Sequence, residues 1–338
     1  MSAASGTAAA AVTAVVVAWR SSSFLAECLD SLLAQDHPGG VNVLVVDNDA
    51  DAATRDVLAR YRGSVRTLRS DTNRGFAGGV ALALDLVTTP WAFVMNDDAR
   101  AAPDTIRLLV DAAQEESVAA VQPSVQLLGP DASHMQAQLT NSTGLEITPD
   151  GYGYDRDWLV PWQSRHTRAE PFGATGAAVL LRVAAVRAAG GMDPDLFLYY
   201  EDLDLAWRFR LLGLRARHVP AAMVEHRHAM SSVEGSDTFR YYNERNRLLV
   251  LARNASWQLA SLQWARYPAT VVSLTLAMGP RSARTWVRLR AGAAAVRGLP
   301  LAFRKRRLLP PAVARSAVQA MFKPVAATAP YRPPPPLS

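Results

Sequence analysis

Cysteine occurs once in this 338-residue chain, at Cys28, lysine occurs twice, and no acidic residue follows Glu244. Each scarcity excludes something. A single cysteine rules out a disulfide scaffold and a thiolate metal centre, both of which need several thiols. No uninterrupted apolar run reaches the roughly 18 residues that cross a bilayer. Residues 8–18 come nearest, but they are too few and lack the basic flank of a signal peptide. That segment is expected as a buried strand, and the chain as a soluble cytoplasmic protein. Residues 1–244 hold no lysine, which counts against the glycine-rich, lysine-containing phosphate loop of a nucleotidyltransferase. Arginine outnumbers lysine 34 to 2, a ratio read as genome base composition and not as chemistry.

The formal charge of +6 is the sum of two unlike parts. Up to Glu244 there are 20 basic residues against all 30 acidic ones; from Arg245 to the end there are 16 basic residues and no counter-charge. A basic segment of that length wants an anionic partner: phospholipid head groups, nucleic acid or a phosphorylated substrate. Nucleic acid is the weakest of these, because the acidic first part would repel a polyanion and the aromatics are not interleaved at stacking intervals. Within residues 281–309, Trp286, Val287, Leu289, Val296, Leu299, Leu301 and Phe303 are mixed with Arg284, Arg288, Arg290, Arg297 and a run of four cations from Arg304. That composition suits a helix lying in a membrane interface. The tail, residues 326–338, carries four consecutive prolines and is expected to be disordered.

The first 130 residues alternate strand and helix. Strands are expected at 12–18, 41–46, 65–68, 91–95 and 118–121, and helices at 24–35, 52–61, 76–86 and 103–115. Such spacing implies an α/β fold around a parallel sheet, whose ligands gather at the carboxyl ends of the strands. Residues 127–171 are rich in Gly, Pro and Ser and read as loop, a candidate substrate lid. An apolar run follows at 178–181, then a helix over 203–212 that stops at Gly213. Residues 219–224 read as an edge strand, since Pro220 cannot donate to a ladder. Helices are expected over the remainder, about 239 to 321.

Several side chains in this frame suit catalysis. Asp47 closes a strand of pure Val and Leu, where a carboxylate can receive a base N–H or ribose hydroxyls, or simply shape a turn. The segment Asn73-Arg74-Gly75-Phe76-Ala77-Gly78-Gly79 is not the dinucleotide fingerprint. Its glycines would still let backbone approach a ligand, and the helix start would favour phosphate. Asn96-Asp97-Asp98 ends another strand, and adjacent carboxylates there call for a hard cation, Mg²⁺ or Mn²⁺, with positions left for two phosphates. In Tyr199-Tyr200-Glu201-Asp202-Leu203-Asp204, three carboxylates fall within four residues at a helix start. They could cap the helix dipole, or one could act as a general base toward a hydroxyl. Glu201 and Asp204 share a helical face, with Asp202 turned away. Strand alternation points His226 and His228 the same way, as metal or phosphate contacts or as structural histidines.

Taken in order, Asp47, the Asn73–Gly79 segment, Asn96-Asp97-Asp98, Gly173 to Ala177, the stretch FLYYEDLDLAWRFRLLG and His226 resemble family 2 glycosyltransferases, in particular the bacterial rhamnosyltransferase-like branch. The resemblance covers about residues 12–253. It implies a GT-A fold with a helical, basic C-terminal extension, divided as a catalytic domain (1–238), an amphipathic extension (239–325) and the tail (326–338). It also implies inverting, metal-assisted transfer from a nucleotide-diphosphate sugar, with dTDP-L-rhamnose favoured and a UDP-sugar such as UDP-galactofuranose as the alternative. The acceptor is expected to be a glycan or a polyprenyl-diphosphate-linked sugar at the inner face of the cell membrane, in envelope biosynthesis. By the same resemblance Asp202 is the catalytic base with Glu201 beside it, and Asp98 and His226 hold the metal. Asp47, Asn73, Gly75, Asp97 and Gly176 then contact the nucleotide sugar, while Tyr242 and Arg245-Asn246 match a Tyr…Arg-Asn helix. Asn96 stands where a strict D-x-D has Asp, and Ala229 where Gly is usual.

Overall fold

A computed structural model describes residues 11–128, 139–167, 170–227 and 236–325. Its first part runs β1 (Val12–Ala18), α1 (Leu25–Leu33), β2 (Val41–Asn48), α2 (Ala52–Arg60), β3 (Arg66–Ser70), α3 (Gly75–Leu84), β4 (Trp91–Met95), β5 (Ala99–Ala101), α4 (Thr105–Ala112) and β6 (Val118–Leu127). Next come β7 (Thr140–Ser142), β8 (Leu145–Ile147), β9 (Gly153–Asp155), β10 (Ala178–Arg182), α5 (Val183–Ala188), α6 (Glu201–Leu211) and β11 (Arg215–His226). Four helices follow: α7 (Asp237–Asn254), α8 (Trp257–Met278), α9 (Ala283–Leu308) and α10 (Arg315–Gln319). The proline-rich tail and His228 lie outside the described residues.

Burial on both faces explains why β1 reads as an unbroken run of Val, Ala and Thr. Val12, Ala14 and Val16 pack with Leu25, Leu29 and Ile106 on one side, while Val15 and Val17 pack with Val80, Leu205 and Phe209 on the other. Among the described residues nine strands form one sheet in the order β3-β2-β1-β4-β10-β6-β11-β5, with β7 added to β6, and β8 and β9 pair as a separate antiparallel hairpin. The first four strands are parallel. The sheet becomes mixed at β10, which runs antiparallel to both β4 and β6. All of β1 to β4 therefore point their carboxyl ends the same way.

Two expectations are corrected here. Residues 219–224 are not an edge: β11 lies between β6 and β5, and its register with β6 slips between Val219 and Met223. Pro220 falls in that bulge, where a missing N–H costs no ladder bond. Within 127–171, residues 140–147 are not loop but a buried wall of short strands. Thr140, Asn141, Ser142, Thr143 and Ile147 are almost wholly inaccessible, and the Arg156 guanidinium donates to the Thr143 hydroxyl and carbonyl at 2.8 Å each.

The C-terminal helices also differ from a free basic appendage. Leu251 and Val250 of α7 and Val318 of α10 join Trp207, Leu203 and Phe172 in one apolar cluster, so the helices pack against α6. Part of their positive charge is neutralised inside the protein. Arg253 pairs with Asp193 and Asp204 at 2.9 Å, Lys305 with Asp193 at 2.6 Å, Arg288 with Glu244 at 2.9 Å and Lys323 with Glu146 at 2.8 Å. Exposed apolar and basic side chains run along α8 and α9, and several of them meet around the turn between the two. There Val272, Leu276, Met278, Trp286 and Leu289 face solvent, Leu276 at 82% exposure, with Arg281 and Arg284 exposed among them. Among the described residues no helix is long and apolar enough to cross a membrane.

Candidate active site

The carboxyl ends of β1 to β4 open into a cleft of about 490 Å³. Asn96, Asp97 and Asp98 reach it from the end of β4, Gly176 from the loop before β10, Glu201 and Asp202 from the start of α6, and His226 from the end of β11. Five separate segments thus deliver most of the residues singled out by the sequence to one place, Asn73 and Gly75 among them.

Asp47 is the exception. Its two oxygens accept from the Ala50 N–H and the Arg55 guanidinium, both at 2.9 Å, so it shapes the turn into α2. Because β2 continues to Asn48 and side chains alternate along a strand, Asn48 is the residue turned to the cleft. The Asn48 amide donates to Asn73 Oδ1 at 3.1 Å and to the Gly75 carbonyl at 3.2 Å, and its oxygen accepts from Arg74 N–H. The start of α3 is correspondingly less open to a phosphate than its sequence implies. Gly75 N–H is given to Asn73 Oδ1, and Ala77 N–H to the Phe197 carbonyl.

The acidic pair at the end of β4 has the electrostatics of a cation site. Asp97 accepts from Trp19 N–H at 3.2 Å, yet burial, and then the neighbouring Asp98 charge, push its carboxyl up to about 7. His226 faces the same pair. Its Nδ1 lies 2.6 Å from Asn141 Oδ1, which can only accept, so the ring N–H sits on Nδ1. Nε2 then lies 3.1 Å from Asp98 Oδ1 and 3.1 Å from the Asn96 amide nitrogen. A histidine fixed through its other nitrogen in this way is presented as a metal ligand usually is. Asn96 gives its amide to that histidine. Among the described residues no three His, Cys, Asp or Glu side chains form a complete metal cage. The donors fit a hard divalent ion that takes one or two carboxylates from the protein and the rest of its oxygens from phosphates.

Across the cleft, the first turn of α6 divides its three carboxylates by function. Asp202 Oδ2 accepts the Gly176 N–H at 2.9 Å and Oδ1 the Leu203 N–H at 2.7 Å. Burial pushes its carboxyl above the usual range, and these two N–H donors oppose the rise. Glu201 is pushed well up, first by burial and then by the Asp202 charge, and its Oε2 has no hydrogen-bond partner. Asp204 turns away from the cleft. Burial would raise it too, but the Arg208 and Arg253 guanidiniums and the Asn254 amide outweigh burial and hold it below the usual carboxylate range. The shared helical face of Glu201 and Asp204 therefore does not make a shared site.

The loop leading into α6 is strained. Phe197, Tyr199 and Tyr200 have φ of 65°, 65° and 69° without being glycine, a conformation that costs roughly 1–3 kcal/mol per residue and persists only when its surroundings impose it. Two elements impose it. The Asn246 amide nitrogen of α7 lies 2.8–2.9 Å from the carbonyls of Leu196, Leu198 and Tyr199. Gly75, at φ +67°, leaves the Phe197 carbonyl the space that a Cβ would fill. Asn246 was legible only as part of a Tyr…Arg-Asn resemblance, while Asn141 and Asp155, which also line the cleft, sit in the stretch that reads as loop.

Comparison with known proteins agrees with this geometry. The family model described as "Glycosyltransferase like family 2" matches residues 9–248. An N-acetylglucosaminyl-diphospho-decaprenol L-rhamnosyltransferase of Mycobacterium tuberculosis is 26% identical over 273 residues, 74% of this chain and 87% of its own. The galactofuranosyltransferase GlfT1 of Mycolicibacterium smegmatis is 28% identical over 303 residues, 82% and 95% of the two chains. Among solved structures, a mannosyltransferase from Pyrobaculum calidifontis in complex with GDP-Man and Mn²⁺ superposes with a TM-score of 0.50 at 17% identity, covering 86% of each chain.

Proposed function

The chain belongs to glycosyltransferase family 2 and has a GT-A fold, and from that premise we propose that it is an inverting transferase acting on a lipid-linked acceptor, with dTDP-L-rhamnose as donor. The single observation that carries the reading is that Asp202 and the Asp97-Asp98-His226 group line one and the same cleft. Asp98 and His226, with Asp97 beside them, would hold Mg²⁺ or Mn²⁺. When bound, such an ion supplies charge neutralisation for a departing nucleoside diphosphate.

The protein's own residues do the rest. Asp202 accepts the proton of the acceptor hydroxyl, and the oxygen so freed attacks the anomeric carbon as the bond to the diphosphate oxygen breaks. One displacement inverts that centre. A carboxyl raised by burial is a stronger base than one in water, and the N–H groups of Gly176 and Leu203 fix the direction of its lone pairs. Glu201, raised further, stays protonated to higher pH, and its unpartnered Oε2 offers a substrate hydroxyl a hydrogen bond. Asn48 and Asn73, which line the cleft, serve the donor in this reading where Asp47 was expected to.

Residues 1–238 form the catalytic unit in this reading, and 239–325 the part that meets the membrane. The exposed apolar residues and arginines around the α8–α9 turn suit peripheral attachment to an anionic surface at the inner face of the cell membrane. Co-sedimentation with phosphatidylglycerol vesicles at physiological salt tests it, and a protein that stays in the supernatant removes the membrane part of the proposal.

The kinship to GlfT1 over 95% of its length favours one second reading, transfer of galactofuranose from its UDP-sugar. Calorimetric titration with dTDP and with UDP, each with Mn²⁺ and again with EDTA, decides between them. Metal-dependent binding that prefers dTDP supports rhamnose, and a preference for UDP moves the assignment to galactofuranose. Binding of neither nucleotide in Mn²⁺ overturns the donor-site reading.

A further inference from the structure

Beside the catalytic cleft, between α7 and α9, lies a second, open pocket of about 440 Å³ lined by Phe197, Tyr241, Tyr242, Arg245, Arg297 and Asp195. The geometry points to this pocket as the seat of the acceptor's diphosphate, a site separate from the one for the donor's diphosphate. The inference rests on the lipid-linked acceptor of the proposed function.

Charge is the first support. No ion pair of Arg245 or Arg297 is present among the described residues, whereas Arg253, Arg288 and Lys305 of the same helices are all paired internally. The Arg245 guanidinium spends two N–H groups on neutral oxygens, Asn246 Oδ1 at 2.8 Å and the Asp195 carbonyl at 3.0 Å. The one carboxylate in the pocket, Asp195, is already bound by Lys305. Two guanidiniums facing one neutralised carboxylate leave a net positive site, and planar guanidinium forks match phosphate oxygens in geometry as well as charge. Arg290 adds a third cation at the rim, 5.8 Å from the Tyr241 ring centre.

Position is the second support. Phe197 lines both the cleft and this pocket and stacks on Tyr242 with ring centres 5.1 Å apart. An acceptor held by its diphosphate on Arg245 and Arg297 therefore has its sugar one aromatic ring away from Asp202. Its hydrocarbon leaves along α9, toward the exposed Leu289 and Trp286. The donor's diphosphate is drawn instead to the divalent cation that Asp98 and His226, with Asp97 beside them, would hold within the cleft.

Geranyl diphosphate, a short water-soluble polyisoprenoid diphosphate, is the probe. Its affinity for the full chain is measured by calorimetry beside that of inorganic pyrophosphate, of dTDP and UDP with Mn²⁺, and of phosphatidylglycerol vesicles. Arg297→Gln, at an exposed position, is expected to weaken geranyl diphosphate at least tenfold, and pyrophosphate in parallel. Nucleotide and vesicle binding are expected to stay within about twofold. Arg245→Gln is expected to do the same, and Arg297→Gln stands alone if loss of the Asp195 contact unfolds that variant. Unchanged geranyl diphosphate binding overturns the assignment, as does a loss confined to vesicles, which would make the anion a lipid head group. A parallel loss of nucleotide would make the pocket part of the donor site and overturn it too. Wild-type protein that binds nucleotide but not geranyl diphosphate sinks this inference and leaves the proposed function standing. Absence of nucleotide binding sinks the proposed function itself.

Discussion

Asp202 and Asp204 are two residues apart in the same turn of α6, the first half-buried at the cleft and the second fully buried, yet they live in opposite electrostatic worlds. Asp202 faces a cleft, has only backbone N–H groups for partners, and its proton affinity rises. Asp204 faces α7, is bound by Arg208, Arg253 and Asn254, and its proton affinity falls. A helical step of about 100° per residue is enough to send them to different sides. The lesson is that a carboxylate cluster in sequence is not a cluster in space: burial with cations lowers proton affinity and makes a strut, whereas burial beside a cleft without them raises it.

That contrast can be broken at four places. Removing the base is expected to do most. Asp202→Asn should lower the transfer rate by about 10²–10⁴-fold while metal-dependent nucleotide binding and thermal stability stay near wild type, as a rate assay beside calorimetry would read. Loss of nucleotide binding would deny Asp202 its role. Removing the strut is the opposite experiment. Asp204→Asn leaves Arg208 and Arg253 buried with too little counter-charge and should cost about 3–5 kcal/mol in denaturant unfolding. An unchanged midpoint would show that the network is not needed for stability.

Between them stands the loop that aims α6. Asn246→Ala takes away the amide shared by three carbonyls and should cost about 1–3 kcal/mol, with kcat lowered more than the KM for donor. A KM-only effect would mean that the loop serves donor binding. The smallest effect concerns Glu201. Its folded-state pKa is raised, so its contribution to stability is fully present below the ordinary value of 4.5 and is lost as pH climbs through the folded pKa. Glu201→Gln should therefore match wild type near pH 4 and become the more stable of the two at alkaline pH, as denaturant midpoints measured across pH would read. Parallel pH profiles for the two proteins would contradict the burial of an unpaired carboxylate.

Much of this was visible in the residues. The Val-rich strands with acidic ends announced both the sheet and its ligand side, because burial on two faces and a carboxyl-end cleft leave direct marks on composition. The wall formed by β7, β8 and β9 left none. Strands of three residues show no periodicity, and their buried Thr, Asn and Ser are satisfied by hydrogen bonds that only the fold assembles. The choice of Asn48 over Asp47 depended on the strand including both residues, so that alternation turns Asn48 to the cleft and Asp47 to Ala50 and Arg55. The acid-free C-terminal segment was read as seeking an anion outside the protein. Some of its cations do face outward, but Arg253, Lys305 and Lys323 find their carboxylates within.

The chain of charges that runs Asp204, Arg253, Asp193, Lys305 joins α6 to α7 and α9 through the turn before the strained loop. Helices so tied cannot melt while the sheet and its base stay in register. Heat should therefore reveal a single calorimetric transition in place of two, with activity vanishing at the temperature where the C-terminal helices let go.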